Sequence, residues 1–215
     1  MRLRLSLIAI AACLFTAAVA ASDLHVSPVS GEDLQNVAGY YDNGGVLLKA
    51  LTYPDAYGNE RILAFGGNKH GAKRDSESYV SLHAYGLIQD HGGYLARWEI
   101  KESNGGLLCG LRMLTPLVDI IDAGDGQALV VVPYWIDCDG LDPTDLKLIM
   151  VYKDRKYAIR GSLPHQQGDE ITRTPGETFK ELPAAVQKTA LAYWEKVLAA
   201  AQKAGADRGE PDLPH

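Results

Sequence analysis

Between Val46 and Arg160 the chain runs in short stretches where apolar and polar residues alternate, and turn residues divide one stretch from the next. A period of two places successive side chains on opposite faces, which is the pattern of a strand and not of a helix. Residues 46–51 and 61–65 flank a loop with Pro54-Asp55 and Gly58-Asn59. Residues 79–88 and 94–100 surround a Gly-containing turn and read as a hairpin. In the first, Val80, Leu82, Ala84 and Ile88 oppose Ser81, His83 and Tyr85; in the second, Tyr94, Ala96, Trp98 and Ile100 oppose Arg97 and Glu99. Residues 107–114, 117–121, 128–136, 146–152 and 157–160 follow. The run 128–136 is nearly continuous and apolar, as in a strand covered on both faces, and Pro133 within it marks a bulge or a free edge.

After a polar loop over 161–177 the period changes. Val186, Ala190, Tyr193, Val197 and Ala201 form a helical stripe that Leu191, Trp194 and Leu198 widen. Thr178-x-x-Glu181 fits a capping box, with Pro183 as the alternative opening. The expected fold is mainly β (α+β). It is an antiparallel meander of about eight or nine strands, as an open barrel or a propeller-like sheet, with one C-terminal amphipathic helix that buries its stripe on the sheet.

The first residues set the compartment. A basic start at Arg2 and Arg4 leads into an apolar run that ends at Ala18-Val19-Ala20, the form of a cleavable signal peptide over 1–21. Ile10-Ala11-Ala12-Cys13 resembles a lipoprotein signal, but the apolar run continues past Cys13 to Val19, which favours simple cleavage near Ala20 or Ala21. Residues 22–45 then read as a flexible leader, 46–203 as one globular domain and 204–215 as a disordered tail. Removing Arg2 and Arg4 leaves 19 basic residues against 27 acidic, a net −8 that is unsuited to nucleic acid. After the signal, no apolar run reaches the length of a membrane span. The location expected is periplasmic or secreted. Two cysteines then remain, Cys109 and Cys138, and an even count in an exported chain reads as one disulfide.

Chemical motifs are sparse. The histidines show no close metal-ligand spacing, and no nucleophile elbow or phosphate-binding glycine loop is present, so neither metal nor cofactor is expected. Asp119, Asp122 and Asp125 resemble a degraded calcium loop, but Ala128 stands where the closing acid belongs, and the plainer reading is a turn shaped by Asp122 and Asp125. The segment 137–145 carries Asp137, Asp139, Asp142 and Asp145. These four carboxylates are the candidate binding residues, together with Lys147 and Arg160 as the bases expected to relieve their repulsion.

Residues 142–161, with Leu82-His-Ala-Tyr85, Trp98-Glu-Ile-Lys101, the two cysteines and the 179–196 region, resemble a family of exported bacterial proteins. That family is labelled surface polysaccharide biosynthesis or hypothetical secreted protein. The resemblance implies a cell-envelope role and carries no catalytic residues. The expectation is a non-catalytic protein that binds an envelope glycan or an envelope-assembly protein, for which Tyr85, Tyr134 and Trp135 are candidate stacking aromatics. The alternative is a polysaccharide hydrolase or lyase that uses the carboxylates of 137–145.

Overall fold

A computed structural model describes residues 24–41, 45–55, 58–69, 78–103, 109–138, 143–164 and 169–206. The signal-peptide span 1–21, Asp139, Asp142 and residues 207–215 lie outside the described residues.

Among the described residues eleven strands join one open antiparallel sheet, and two α-helices accompany it. In chain order these are β1 (Ser27–Pro28), α1 (Gly31–Tyr41), β2 (Val46–Asp55), β3 (Gly58–Lys69), β4 (Tyr79–Asp90), β5 (Gly93–Ser103) and β6 (Cys109–Met113). Then come β7 (Asp119–Asp122), β8 (Ala128–Cys138), β9 (Thr144–Tyr152), β10 (Arg155–Leu163), β11 (Thr174–Pro175) and α2 (Ala184–Ala206). Nine strands exceed two residues in length, and β1 and β11 are two-residue edge pieces. The span 22–45, expected as a flexible leader, therefore carries β1 and α1. α2 continues to Ala206, past the domain boundary expected at 203.

The sheet folds over on itself. β2 to β5 form one half, and β6 to β10 form the other, joined where Tyr79 of β4 pairs Leu111 of β6. One internal cluster takes Ile62, Ala64, Leu82, Ala84, Trp98 and Ile100 from the first half and Leu111, Val130, Val132 and Tyr134 from the second. Alternation sends the intervening residues outward. Leu63, Phe65, Tyr85 and Leu87 meet Val37 of α1. Leu129, Val131, Trp135, Leu148 and Met150 meet Val186, Ala190, Trp194 and Val197 of α2. The layers are helix, sheet, sheet, helix, and the two-sided burial expected of 128–136 follows from that order.

Pro133 sits in a central strand, neither at a bulge nor at a free edge. Its carbonyl accepts from Leu114 N (3.0 Å) toward the β6–β7 side, so its nitrogen faces that side as well. There the partner chain passes from β6 to β7 through a 3-10 turn at Thr115–Leu117, and no ladder bond is lost.

Two tight connections fix register. Asp90 pairs Gly93 around His91-Gly92, and Tyr152 pairs Arg155 around Lys153-Asp154. All four turn residues have positive φ, the geometry that matches strand twist in two-residue hairpins. The capping box does not form. Thr178 and Glu181 lie in a 3-10 turn, and α2 opens where the Pro183 carbonyl accepts from Gln187 N at 2.9 Å. Cys109 and Cys138 are register partners on β6 and β8 with Cα atoms 3.9 Å apart, and they are bonded to each other.

Two predictions follow from this packing. Trp194 is 1% exposed, and its ring lies over Gly161, where a Cβ would come within 2.8 Å of it. Trp194→Ala is expected to cost about 3–5 kcal/mol in urea denaturation, and a midpoint unchanged from the parent would remove this contact from the core. The bridge closes a separation of 29 residues. Replacing both cysteines by serine is expected to cost about 3 kcal/mol by the chain-entropy account, measured in the same way under non-reducing conditions.

Candidate functional site

Of the four acids expected to converge at 137–145, the described members Asp137 and Asp145 do not meet, and Asp139 and Asp142 lie outside the described residues. Along β8, Trp135 faces α2 and Ile136 faces the internal cluster, so Asp137 falls on the outer face. Along β9, Leu146 and Leu148 face α2, so Asp145, Lys147 and Ile149 fall on the inner face. Asp137 and Asp145 thus project from opposite faces and form no acid pair. Lys147 bonds elsewhere: its Nζ lies 2.9 Å from Glu102 of β5, which also accepts from Tyr134 Oη at 2.7 Å. These two partners hold the Glu102 carboxyl below its usual range against the opposing effect of burial. Arg160 pairs Lys147 in register but is exposed, and among the described residues it forms no ion pair. The candidate stacking rings are also inside, with Tyr85, Tyr134 and Trp135 at 4%, 2% and 0% exposure.

The acidic turn after β7 is shaped by its own carboxylates. Asp122 Oδ1 accepts from Gly124 N at 2.6 Å and Gly126 N at 3.2 Å, and Asp125 accepts from Gln127 N at 3.2 Å. His83 is a half-buried strand residue, 3.3 Å from the Tyr85 hydroxyl. Among the described residues no group of three or more His, Cys, Asp or Glu side chains is placed to hold a metal ion.

A different acid is buried. Glu60 of β3 is 1% exposed. Tyr53 of β2 donates to its Oε2 at 2.5 Å, and the Trp98 indole of β5 donates to its Oε1 at 2.8 Å. Arg97 Nη1 lies 3.6 Å from Oε2. Arg97 also ion-pairs with Asp55 at the end of β2 and with Asp154 in the β9–β10 turn, so one guanidinium ties the two sheet halves together. A β-bulge puts it there. Gly86 pairs Trp98 and Leu87 pairs Ala96, which leaves Arg97 as the extra residue. The bulge also splits the row expected on one face. Tyr94 and Ala96 turn toward α1, while Trp98 and Ile100 enter the internal cluster. Gly86 supplies the space, since a Cβ there would lie 2.1 Å from the Trp98 nitrogen and 2.3 Å from Glu60 Oε1. Burial pushes the Glu60 carboxyl above the usual glutamate range, with Tyr53, Arg97 and Trp98 opposing. The associated pocket is about 50 Å³.

A second concavity, of about 350 Å³, lies where α1 crosses the β4–β5 hairpin, and Asn36, Gln89, Gly92, Gly93 and Tyr94 line it. Tyr94 is held from behind. Its hydroxyl donates to Asp33 Oδ1 at 2.8 Å, and the Arg61 guanidinium sits 5.2 Å from its ring centre. Arg61 Nε in turn bonds Asp33 Oδ2 at 2.8 Å. Hydrogen bonding from Arg61 is the largest influence holding the Asp33 carboxyl below its usual range. The only sequence signal for this site was the Gly92-Gly93 turn; Asn36 lay in the span read as leader, and nothing local paired it with Tyr94.

Comparison with known proteins finds no matching family model, curated protein or solved structure.

The titration of Glu60 gives a prediction. Its folded-state pKa lies above the unfolded one, so in the window between them the folded state holds more protons and stability falls as pH rises. Keeping this acid in the fold therefore costs stability at neutral pH, whichever form it takes there. A glutamine can accept from Trp98 through its oxygen and donate to Tyr53 through its nitrogen. Glu60→Gln is therefore expected to melt at least as high as the parent at pH 7–8 and to lose its advantage toward pH 4–5. A Glu60→Gln melting curve displaced downward by the same amount at every pH would contradict this.

Proposed function

We propose that the protein is exported to the cell envelope and binds a glycan there without cleaving it. The observation that carries this reading is the sealing of Glu60. A general acid must come within hydrogen-bond reach of the leaving oxygen. Both Glu60 oxygens instead accept from protein donors, beneath Arg97, in a pocket of about 50 Å³. Sites for small ligands run from about 300 Å³ upward. The hydrolase reading draws its one favourable observation from the same place, since Asp55 and the raised Glu60 share Arg97. Burial of that acid to 1% exposure weighs against it.

The bonded cysteines support an oxidising compartment, in keeping with the signal-like start. Among the described residues no helix is long and apolar enough to cross a membrane. A glycan is favoured over an assembly protein that adds a strand, because the sheet edges are blunted. β1 and Val29 cover part of β2, and residues 172–176 cover part of β10. β5 carries a bulge, and Lys156 bonds the Glu99 carbonyl at 3.0 Å. The likeness of residues 142–161 to exported proteins labelled surface polysaccharide biosynthesis points the same way.

The test is incubation of the protein, purified with its disulfide intact, with polysaccharide from a Gram-negative envelope. Co-sedimentation with polymer recovered at unchanged length is the expected outcome. Shortened chains or new reducing ends would overturn the non-catalytic reading, and absence of any association would overturn glycan binding.

A further inference from the structure

We infer that the concavity between α1 and the β4–β5 hairpin is the glycan site and that it takes a neutral sugar unit; this rests on the glycan-binding reading above. Its volume of about 350 Å³ falls within the range of small-ligand sites. Its lining is suited to hydroxyl groups. Asn36 and Gln89 are exposed amides, each able to donate and accept, and the Gly92-Gly93 backbone leaves the wall open. A Cβ at Gly92 would meet nothing within 4 Å, so this turn presents bare backbone to the concavity. Tyr94 supplies an apolar ring of the kind that packs against the C–H face of a pyranose.

Charge selects against acidic sugars. None of the five lining residues is ionisable near neutral pH. The nearby cation, Arg61, is engaged by Asp33 through two contacts of 2.8 and 3.1 Å and by the Tyr94 ring. Among the described residues a uronate or phosphate would therefore find no lining cation to replace its water. The same contacts fix the tyrosine before a ligand arrives, so its ordering is not a cost of binding. Asp33 belongs to the first turn of α1, Arg61 to β3 and Tyr94 to β5, so three elements hold one ring.

The experiment uses the protein with its disulfide intact and a set of neutral saccharides (glucose, galactose, N-acetylglucosamine, cellobiose and chitobiose), with glucuronate as the charged probe. Binding is read by ligand-observed NMR and calorimetry on the parent, Tyr94→Ala, Tyr94→Phe and Gln89→Ala. At least one neutral saccharide is expected to bind the parent and to weaken tenfold or more in Tyr94→Ala. Tyr94→Phe keeps the ring and is expected to retain binding within a few fold, and Gln89→Ala, on an exposed residue, tests the site without disturbing the core. Parent binding that survives unchanged in both Tyr94→Ala and Gln89→Ala overturns the site and leaves glycan binding standing. A preference for glucuronate overturns the ligand class. No binding of any neutral saccharide to the parent overturns the site, and together with absent association to whole envelope polysaccharide it overturns the functional reading too.

Discussion

The fold depends on burial of both faces of the sheet. A single antiparallel sheet of this size can leave one face to water, but the apolar residues here alternate into two sets that both need cover. Val130 and Val132 point one way along β8, and Leu129 and Val131 the other. Folding the sheet over itself buries the first set, and the two helices must then bury the second. α2 is long enough to do this for the β8–β10 half. Among the described side chains, α1 covers the β3–β4 half with Leu34 and Val37. Breaking either helix contact would expose an apolar face of a sheet whose other face is already packed, so the layers stand together.

Much of this was legible in the sequence, for a definite reason. Period two and period 3.6 are local signals, and they marked the strand positions and the stripe of α2 through Val186, Ala190 and Val197. The cysteine pair was legible because only two cysteines remain after a signal-like start. α1 was not. Its segment has a glycine at each of positions 31 and 39, and its apolar residues form too weak a stripe to stand out from a polar leader. The bulge at Arg97 was hidden for the opposite reason. Tyr94, Ala96, Trp98 and Ile100 keep an unbroken alternation, and because both faces of β5 receive apolar cover, no polar residue betrays the change of side.

The site was less legible than the fold. The acids at 137, 139, 142 and 145 drew attention by their closeness in sequence, yet strand geometry sends the two described members, Asp137 and Asp145, to opposite faces. Glu60 sits in Gly58-Asn59-Glu60-Arg61, which reads as a solvated hairpin end. Its partners Trp98 and Arg97 lie nearly forty positions away, and only the pairing of β3 with β4 and of β4 with β5 brings them together. Asn36, Gln89 and Tyr94 likewise share a surface only once α1 has docked.

Three half-buried or buried acids repeat one arrangement, each with a tyrosine hydroxyl and a base. Asp33 has Tyr94 and Arg61, Glu102 has Tyr134 and Lys147, and Glu60 has Tyr53 and Arg97. The first two keep access to water and an undivided cation, and their carboxyls are held low. Glu60 is dry, and its cation is shared with Asp55 and Asp154, so burial prevails and its carboxyl is pushed up. A raised acid is often a mark of chemistry; here burial raises it, beside a guanidinium that is shared with Asp55 and Asp154 and joins the sheet halves. The Asp33 group serves a different end. Its charge pair stands behind Tyr94, whose ring lies in the wall of the concavity between α1 and the β4–β5 hairpin.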